Sequence, residues 1–259
     1  MQNRIHPTAI IDPGANIADS AIIGSNCIIG PKVTISEGVR IGANSIIDCN
    51  TTIGEGCNVF SHVVLGTEPQ DLKFRGEESF LIIGPNTTIR EFVTVNRGTE
   101  GGGAVTRVGE GCLLMAYSHV AHDCQLGNNV ILANAVNLGG HIHIAEHAII
   151  GGLSAIHQFV SIGEHAFIGG CSAVSMDVPP YVRAVGNRAR IFGVNSVGLE
   201  RKGFPKETIT QIKKAYRYLT SSKMNTAQAL EAIEKSIPLT EEIQKILTFI
   251  RSSNRGICK

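Results

Sequence analysis

The sequence predicts a mainly β protein, a parallel β-helix of six-residue repeats followed by a helical segment. Three observations predict it. Aliphatic residues recur at every sixth position over most of the chain. Glycine is abundant at 29 residues while tryptophan is absent and aromatics are only 5%, so the core must be aliphatic and the turns many. The repeat then stops at Pro179-Pro180, a pair that cannot continue a hydrogen-bonded ladder, and the spacing beyond it turns helical.

Counting in sixes from Ile5 gives Ile11, Ile17, Ile23, Ile29, Ile35, Ile41, Ile47, Ile53, Val59 and Leu65. The count falters over 67–79 and resumes in phase at Ile83, Ile89 and Val95. After Gly101-Gly102-Gly103 it shifts by one residue. It then runs through Val108, Leu114, Val120, Leu126, Leu132, Leu138, Ile144, Ile150, Ile156, Ile162 and Ile168 to Val174. Period six matches neither the 3.6 of a helix nor the alternation of a long strand. It suits short strands joined by tight turns, each directing one aliphatic inward, with three faces closing an eighteen-residue triangular coil. The 26 anchors make about 8.7 such coils, a prism about 40 Å long at the usual strand spacing. Two stretches, 66–79 and 97–107, leave the repeat as excursions, and long loops on a strict solenoid are where binding residues are commonly placed.

The predicted division is a β-helix over 1–185 and a helical domain over 186–259. Within the second part, Pro205 suits a first helical turn, with Ile209, Ile212, Tyr216 and Leu219 on one face. A further helix is expected in NTAQALEAIEKSI, and another in TEEIQKILTFI with Ile243, Ile246, Leu247 and Ile250 in register. The simplest arrangement has these helices capping the last coil.

Lysine plus arginine number 23 against 22 acidic residues, so no global charge footprint calls for nucleic acid or an anionic membrane. The seven cysteines are odd in number, widely spaced and without a C-x-x-C, which argues against a disulfide framework and a zinc knuckle. The first residues, MQNRIHPTAII, lack the form of a leader, and no apolar run is long enough for a transmembrane segment. A cytoplasmic protein is expected.

Seven of the nine histidines fall between positions 119 and 165. His119 precedes the anchor Val120 and His122 follows it by two. One coil on from His122 is Gly140, beside His141, and a second coil on is Gln158, beside His157; these should stack as a column. A neutral imidazole at His122 can act as a general base, with Asp123 orienting the ring and stabilising its protonated form. No G-x-S-x-G nucleophile elbow exists, so direct attack by an activated substrate hydroxyl is expected, with the Gly140 N–H facing a developing oxyanion. Two other classes remain open. One is a zinc enzyme, since some hexapeptide β-helices hold zinc on three histidines in a carbonic anhydrase class, and His119, His122, His141 and His157 supply enough imidazoles. The other is a non-catalytic solenoid scaffold.

The motifs EPQDLKF, VNRGT with GGG, AHDCQLGN, AIHQF, GGCS, DVPPYV and GVNSVGL resemble those of the UDP-N-acetylglucosamine O-acyltransferase family, over essentially the whole chain. The resemblance implies a left-handed coil and the first step of lipid A biosynthesis. In that reaction a 3-hydroxyacyl group passes from acyl carrier protein to the glucosamine 3-hydroxyl. It also implies His122, Asp123 and Gly140 as catalytic residues. His119, His141, His157 and Gln158 match positions lining the sugar, nucleotide or pantetheine sites, and Asp71 and Lys73 match substrate-binding loop residues. Asn195 and Arg201 match nucleotide-binding positions. Gly170 matches the position that limits acyl length, where glycine leaves room for a longer chain. A homotrimer with its active site between subunits is implied. No resident cofactor or metal is implied, because the acyl-phosphopantetheine arrives on the carrier as substrate. The acidic carrier would meet a cationic face formed by Arg183, Arg188, Arg190, Arg201, Lys202, Lys206, Lys213, Lys214 and Arg217. The pattern departs from the family's at Val197, where an acidic residue is familiar, at Lys202, where a second arginine is, and at Phe167 beside the acyl channel. Related N-acyltransferases and nucleotidyltransferase fusions carry an extra N-terminal domain, for which a repeat beginning at Ile5 leaves no room.

Overall fold

A computed structural model describes residues 4–221 and 224–259. Residues 1–3, part of the stretch read against a leader, lie outside the described residues. The repeat folds as a left-handed parallel β-helix. Among the described residues, mostly two-residue strands stack into sheets of nine, eight and ten strands, one per face of a triangular prism. Outside the excursions, partners lie eighteen residues apart, as in Val120 with Leu138 and Leu138 with Ile156. From Ile23 onward the anchors are buried. Ile5 is exposed and Ile11 and Ile17 are half-buried, as befits the coil at the end of a stack.

Most repeats bury a second, usually smaller side chain two positions before the anchor, a feature the period alone did not reveal. Cys27, Cys57, Cys112 and Cys124 hold that inner position, alongside Ala21, Ser45, Ala148 and Ser172. These thiols are therefore packing residues, and all seven cysteines are free. The third residue after most anchors turns the corner with positive φ, as at Asn129, His147 and Cys171. That conformation costs a non-glycine residue roughly 1–2 kcal/mol, so the stack must hold these residues in place.

Both excursions leave from the same edge, between the nine-stranded and eight-stranded sheets. The first runs from Val64–Thr67 to Phe80–Ile83, and the second from Thr94–Asn96 to Val105–Val108. Both are thus shorter than expected, because the strands run on to Thr67 and 105–108 already pair as strand.

At the other end, Val182–Val185 adds to the ten-stranded sheet and turns back as the antiparallel strand Arg190–Val194. The segment expected to be helical from 186 therefore begins with a strand. Among the described residues four α-helices follow: α1 (Ser196–Arg201), α2 (Lys206–Leu219), α3 (Thr226–Ser236) and α4 (Glu241–Ser252). Pro205 is the N-cap of α2, and Asn225 with Gln228 forms a capping box on α3. The expected faces of α2 and α4 are buried. The tail does more than cap. The Tyr216 hydroxyl donates to the Pro180 carbonyl at 2.6 Å. Past α4, the Ser253 hydroxyl donates to Asp177 at 2.6 Å. Lys245 on α4 lies 3.1 Å from Glu164, so the helix reaches back beyond the final coil. No helix among the described residues is long and apolar enough to cross a membrane.

Candidate active site

The edge that carries both excursions also carries His122 and Asp123, in the turn between strands His119–Val120 and Gln125–Leu126. Asp123 is the left-handed corner residue, with φ 61°. That conformation turns its carboxylate back against the preceding ring. His122 Nδ1 lies 2.7 Å from Asp123 Oδ2. The Thr99 N–H donates to Oδ1 at 2.8 Å and the Thr99 hydroxyl to Oδ2 at 2.6 Å. Burial works against charge on Asp123, but the hydrogen bonds from His122 and Thr99 outweigh it, and the carboxyl is held below its ordinary range. An ionised Asp123 only accepts, so His122 Nδ1–H donates to it. The Nε2 lone pair is left free, and among the described residues it has no hydrogen-bond partner.

Gly140 sits directly on this ring. A Cβ there would fall 2.6 Å from His122 Cε1 and 2.8 Å from Nε2, so any side chain would displace the imidazole. The Gly140 N–H has no hydrogen-bond acceptor among the described residues, although its neighbour His141 donates to the His122 carbonyl at 3.0 Å.

The single histidine column expected from the eighteen-residue count resolves into two. His122, Gly140 and Gln158 occupy one register. Asp123, His141 and Phe159 occupy the next, all with positive φ, and His141 stacks on Phe159 with centroids 4.4 Å apart. His157 belongs to neither; it is exposed, and its Nδ1 lies 3.0 Å from the Gln158 carbonyl. His119 points outward from the adjoining face with Nδ1 2.7 Å from the Thr94 hydroxyl. Burial, reinforced by nearby His122, holds its protonation below the usual range. Burial lowers His141 as well, against the pull of Asp123.

The excursions wall a cleft of about 340 Å³ beside these residues, lined by Asp71, Lys73, Phe74, Thr99, His141 and Phe159 among others. Arg97 ties the two excursions together. Its buried guanidinium donates to the Gly66 carbonyl at 3.1 Å, lies 3.5 Å from Glu68 and covers the Phe74 ring. Sequence reasoning passed over Thr99, Arg97 and Phe159. Their only signal was membership of VNRGT and AIHQF: the partners of Arg97 and Thr99 lie across excursions where counting in eighteens fails, while Phe159, one coil on from His141, holds the corner position next to the column that was counted.

Asn195 and Arg201 are on a different edge. With His147, His165, Phe167 and Lys202 they line a cleft of about 360 Å³, and the Asn195 amide donates to the His165 carbonyl at 3.0 Å. Gly170 lies on the third edge, exposed, with the Gly152 carbonyl 3.1 Å from where its Cβ would be. One chain therefore gathers His122, Asp123, Gly140, His141, Asp71 and Lys73, and leaves Asn195, Arg201 and Gly170 apart.

In the second cleft His165 stacks between His147 and Tyr181. Burial first, then His147, Lys202 and Lys245, push its pKa down to about 4 against the opposing pull of Glu164. The unfolded chain therefore binds a proton that the folded chain refuses, and stability present above pH 6.5 is lost as pH falls toward 4. Thermal melts from pH 7 to pH 5 should show a smaller loss for His165→Phe, which keeps the stack, than for the unaltered protein. Parallel losses would remove His165 as a source.

His122, Asp123 and His141 each offer a ligand atom within 4.8 Å of the others. His119 and His157, expected to complete a zinc set, stand outside this group. Asp123 already takes three hydrogen bonds, so a cation would have to displace them.

Residues 177–258 match the family described as UDP-N-acetylglucosamine O-acyltransferase, domain 2. Residues 4–37 and 106–140 match the bacterial transferase hexapeptide (six repeats). The chain is 46% identical to the acyl-(acyl-carrier-protein)–UDP-N-acetylglucosamine O-acyltransferase of Anaeromyxobacter sp., over 98% of this chain and 99% of that protein. It is also 46% identical to the protein of the same name from Thermodesulfovibrio yellowstonii, over 99% and 100%. Among solved structures, LpxA from Acinetobacter baumannii superposes with a TM-score of 0.97 at 43% identity, covering 99% of this chain and 100% of that one. The UDP-N-acetylglucosamine O-acyltransferase of Moraxella catarrhalis does so at 0.96 and 42%, with the same coverage.

Proposed function

The chain belongs to the UDP-N-acetylglucosamine O-acyltransferase family, and we propose that it moves a 3-hydroxyacyl group from acyl carrier protein to the glucosamine 3-hydroxyl of UDP-N-acetylglucosamine. It is an acyltransferase of the first step of lipid A biosynthesis. The observation that carries the mechanism is the buried dyad, with Nδ1 donating to Asp123 and Nε2 free beneath Gly140.

His122 Nε2 takes the proton of the sugar hydroxyl as its oxygen attacks the thioester carbonyl. Asp123 stabilises the imidazolium, and the Gly140 N–H donates to the oxyanion. When the tetrahedral intermediate collapses, the C–S bond breaks, the imidazolium returns its proton to the carrier thiolate and the sugar ester remains. No resident cofactor enters; the phosphopantetheine is substrate. Asp71 and Lys73 hold the sugar nucleotide in the cleft beside His141, with His119, His157 and Gln158 lining the approach.

Asn195 and Arg201 hold the nucleotide, and Gly170 leaves room for the acyl end, from neighbouring copies of the chain. The separation of these residues onto other edges supports a homotrimer, in which one copy's edge faces another's. Apolar groups bare on the Gly170 edge support it too, with Phe92 44%, Tyr117 61% and Leu153 70% exposed. Nine exposed cations, from Arg183 to Arg217, offer the acidic carrier a docking face. Seven free cysteines fit a cytoplasmic setting.

Purified protein assayed with UDP-N-acetylglucosamine and carriers of graded acyl length tests this reading. Turnover should favour long 3-hydroxyacyl donors, and Gly170→Met should shift preference toward shorter ones. No turnover with any donor would overturn the function, and unchanged selectivity would remove Gly170 from the ruler role. Activity should survive a chelator. Its loss together with stoichiometric zinc would favour the zinc enzyme, the reading to which the His122, Asp123 and His141 cluster otherwise lends itself.

A further inference from the structure

Two of the three hydrogen bonds that hold the Asp123 carboxylate come from one residue of the second excursion, and the third comes from His122. Thr99 is 6% exposed and Asp123 3%. Thr99 donates its N–H to one carboxylate oxygen at 2.8 Å and its hydroxyl to the other at 2.6 Å. Gly102 closes over the same group, since a Cβ at that position would fall on the carboxylate. Oδ2 therefore serves both the Thr99 hydroxyl and His122 Nδ1, which uses both of its lone pairs. His141 Nδ1 stands only 3.6 Å from that oxygen, beyond a hydrogen bond but within reach of a small carboxylate rotation.

We propose that Thr99 is a positioning residue that keeps Asp123 paired with His122 rather than His141 and sets how strongly the carboxylate favours the His122 imidazolium. The proposal rests on reading His122 as the general base. A carboxylate that already accepts two hydrogen bonds from Thr99 is a weak proton acceptor, so the Nδ1 proton stays on the imidazole and Nε2 keeps its lone pair. Removing the hydroxyl releases Oδ2. The carboxylate is then free to turn from His122 toward His141, and the His122 imidazolium formed during the reaction is less well stabilised.

Thr99→Val removes the hydroxyl, keeps the N–H and nearly preserves shape, while Thr99→Ser keeps both donors. For Thr99→Val, kcat should fall about tenfold, the scale of one hydrogen bond to a charged group, with KM for UDP-N-acetylglucosamine nearly unchanged. The acid limb of its kcat/KM profile should move to lower pH, since an imidazolium with less carboxylate support gives up its proton more readily. Thr99→Ser should restore both. An unchanged limb and kcat in Thr99→Val, or a Thr99→Ser variant as impaired as Thr99→Val, would overturn the proposal. If Thr99→Val does not fold, Thr99→Cys, with its weak S–H donor, should displace the limb in the same direction; an unmoved limb there overturns it equally. His122→Ala measured alongside separates the two readings. Retained turnover in that variant removes the base itself. Lost turnover with an unmoved Thr99→Val profile removes only the role of Thr99.

Discussion

His122→Ala is expected to lower kcat by about 10²-fold or more, the scale of a lost general base. The reacting hydroxyl is a weak acid, and Nε2 of His122 is the lone pair left free once Nδ1 is committed to Asp123. The substitution should leave the coil folded. The His122 backbone carbonyl still accepts from His141, and the inward packing at Val120 and Cys124 is untouched. KM for the sugar nucleotide should move far less than kcat, because Asp71, Lys73 and the excursions remain. The checks are steady-state kinetics on the folded variant, with circular dichroism to establish the fold. Near-normal turnover in a folded protein would sink the mechanism.

Gly140→Ala is the second large effect. The new methyl would lie 2.6–2.8 Å from His122 Cε1 and Nε2, too close for either group to stay in place. The backbone cannot easily yield, since the Gly140 carbonyl accepts from Phe159 and His141 donates to the His122 carbonyl. The ring must therefore swing, weakening its bond to Asp123 and moving Nε2 off the line of attack. A displacement near 1 Å costs about 10²-fold in kcat. The same methyl crowds the N–H assigned to the oxyanion, so the loss should fall on kcat rather than KM. A variant with normal kcat would show that neither the ring's seat nor that N–H matters to the reaction.

The coil was legible because a six-residue period is covalent. Every anchor from Ile23 to Val174 is buried whatever the tail or excursions do, and stacked partners follow by adding eighteen. The same count placed Gly140 on His122. It misplaced His157, because it did not distinguish the left-handed corner position from the one before it. There the structure has Phe159 stacked on His141, while His157 is exposed. The four cysteines two before an anchor were legible only as unpaired thiols; their packing role needed the coil to show which side chains face inward.

By itself the sequence determined the triangular prism, its length, the points where excursions leave it and the position of His122 beside Asp123, because each depends only on spacing along the chain. The tertiary structure decided what crosses an interruption. Thr94 meets His119 over 25 residues, Thr99 meets Asp123 over 24, and Ser253 meets Asp177 over 76. None of these is a multiple of the coil. Each depends on the path of a loop or tail whose backbone hydrogen bonds are not dictated by the repeat. The repeat brings the histidine and aspartate together, and the excursion that folds back over them keeps the carboxylate charged and the ring in place.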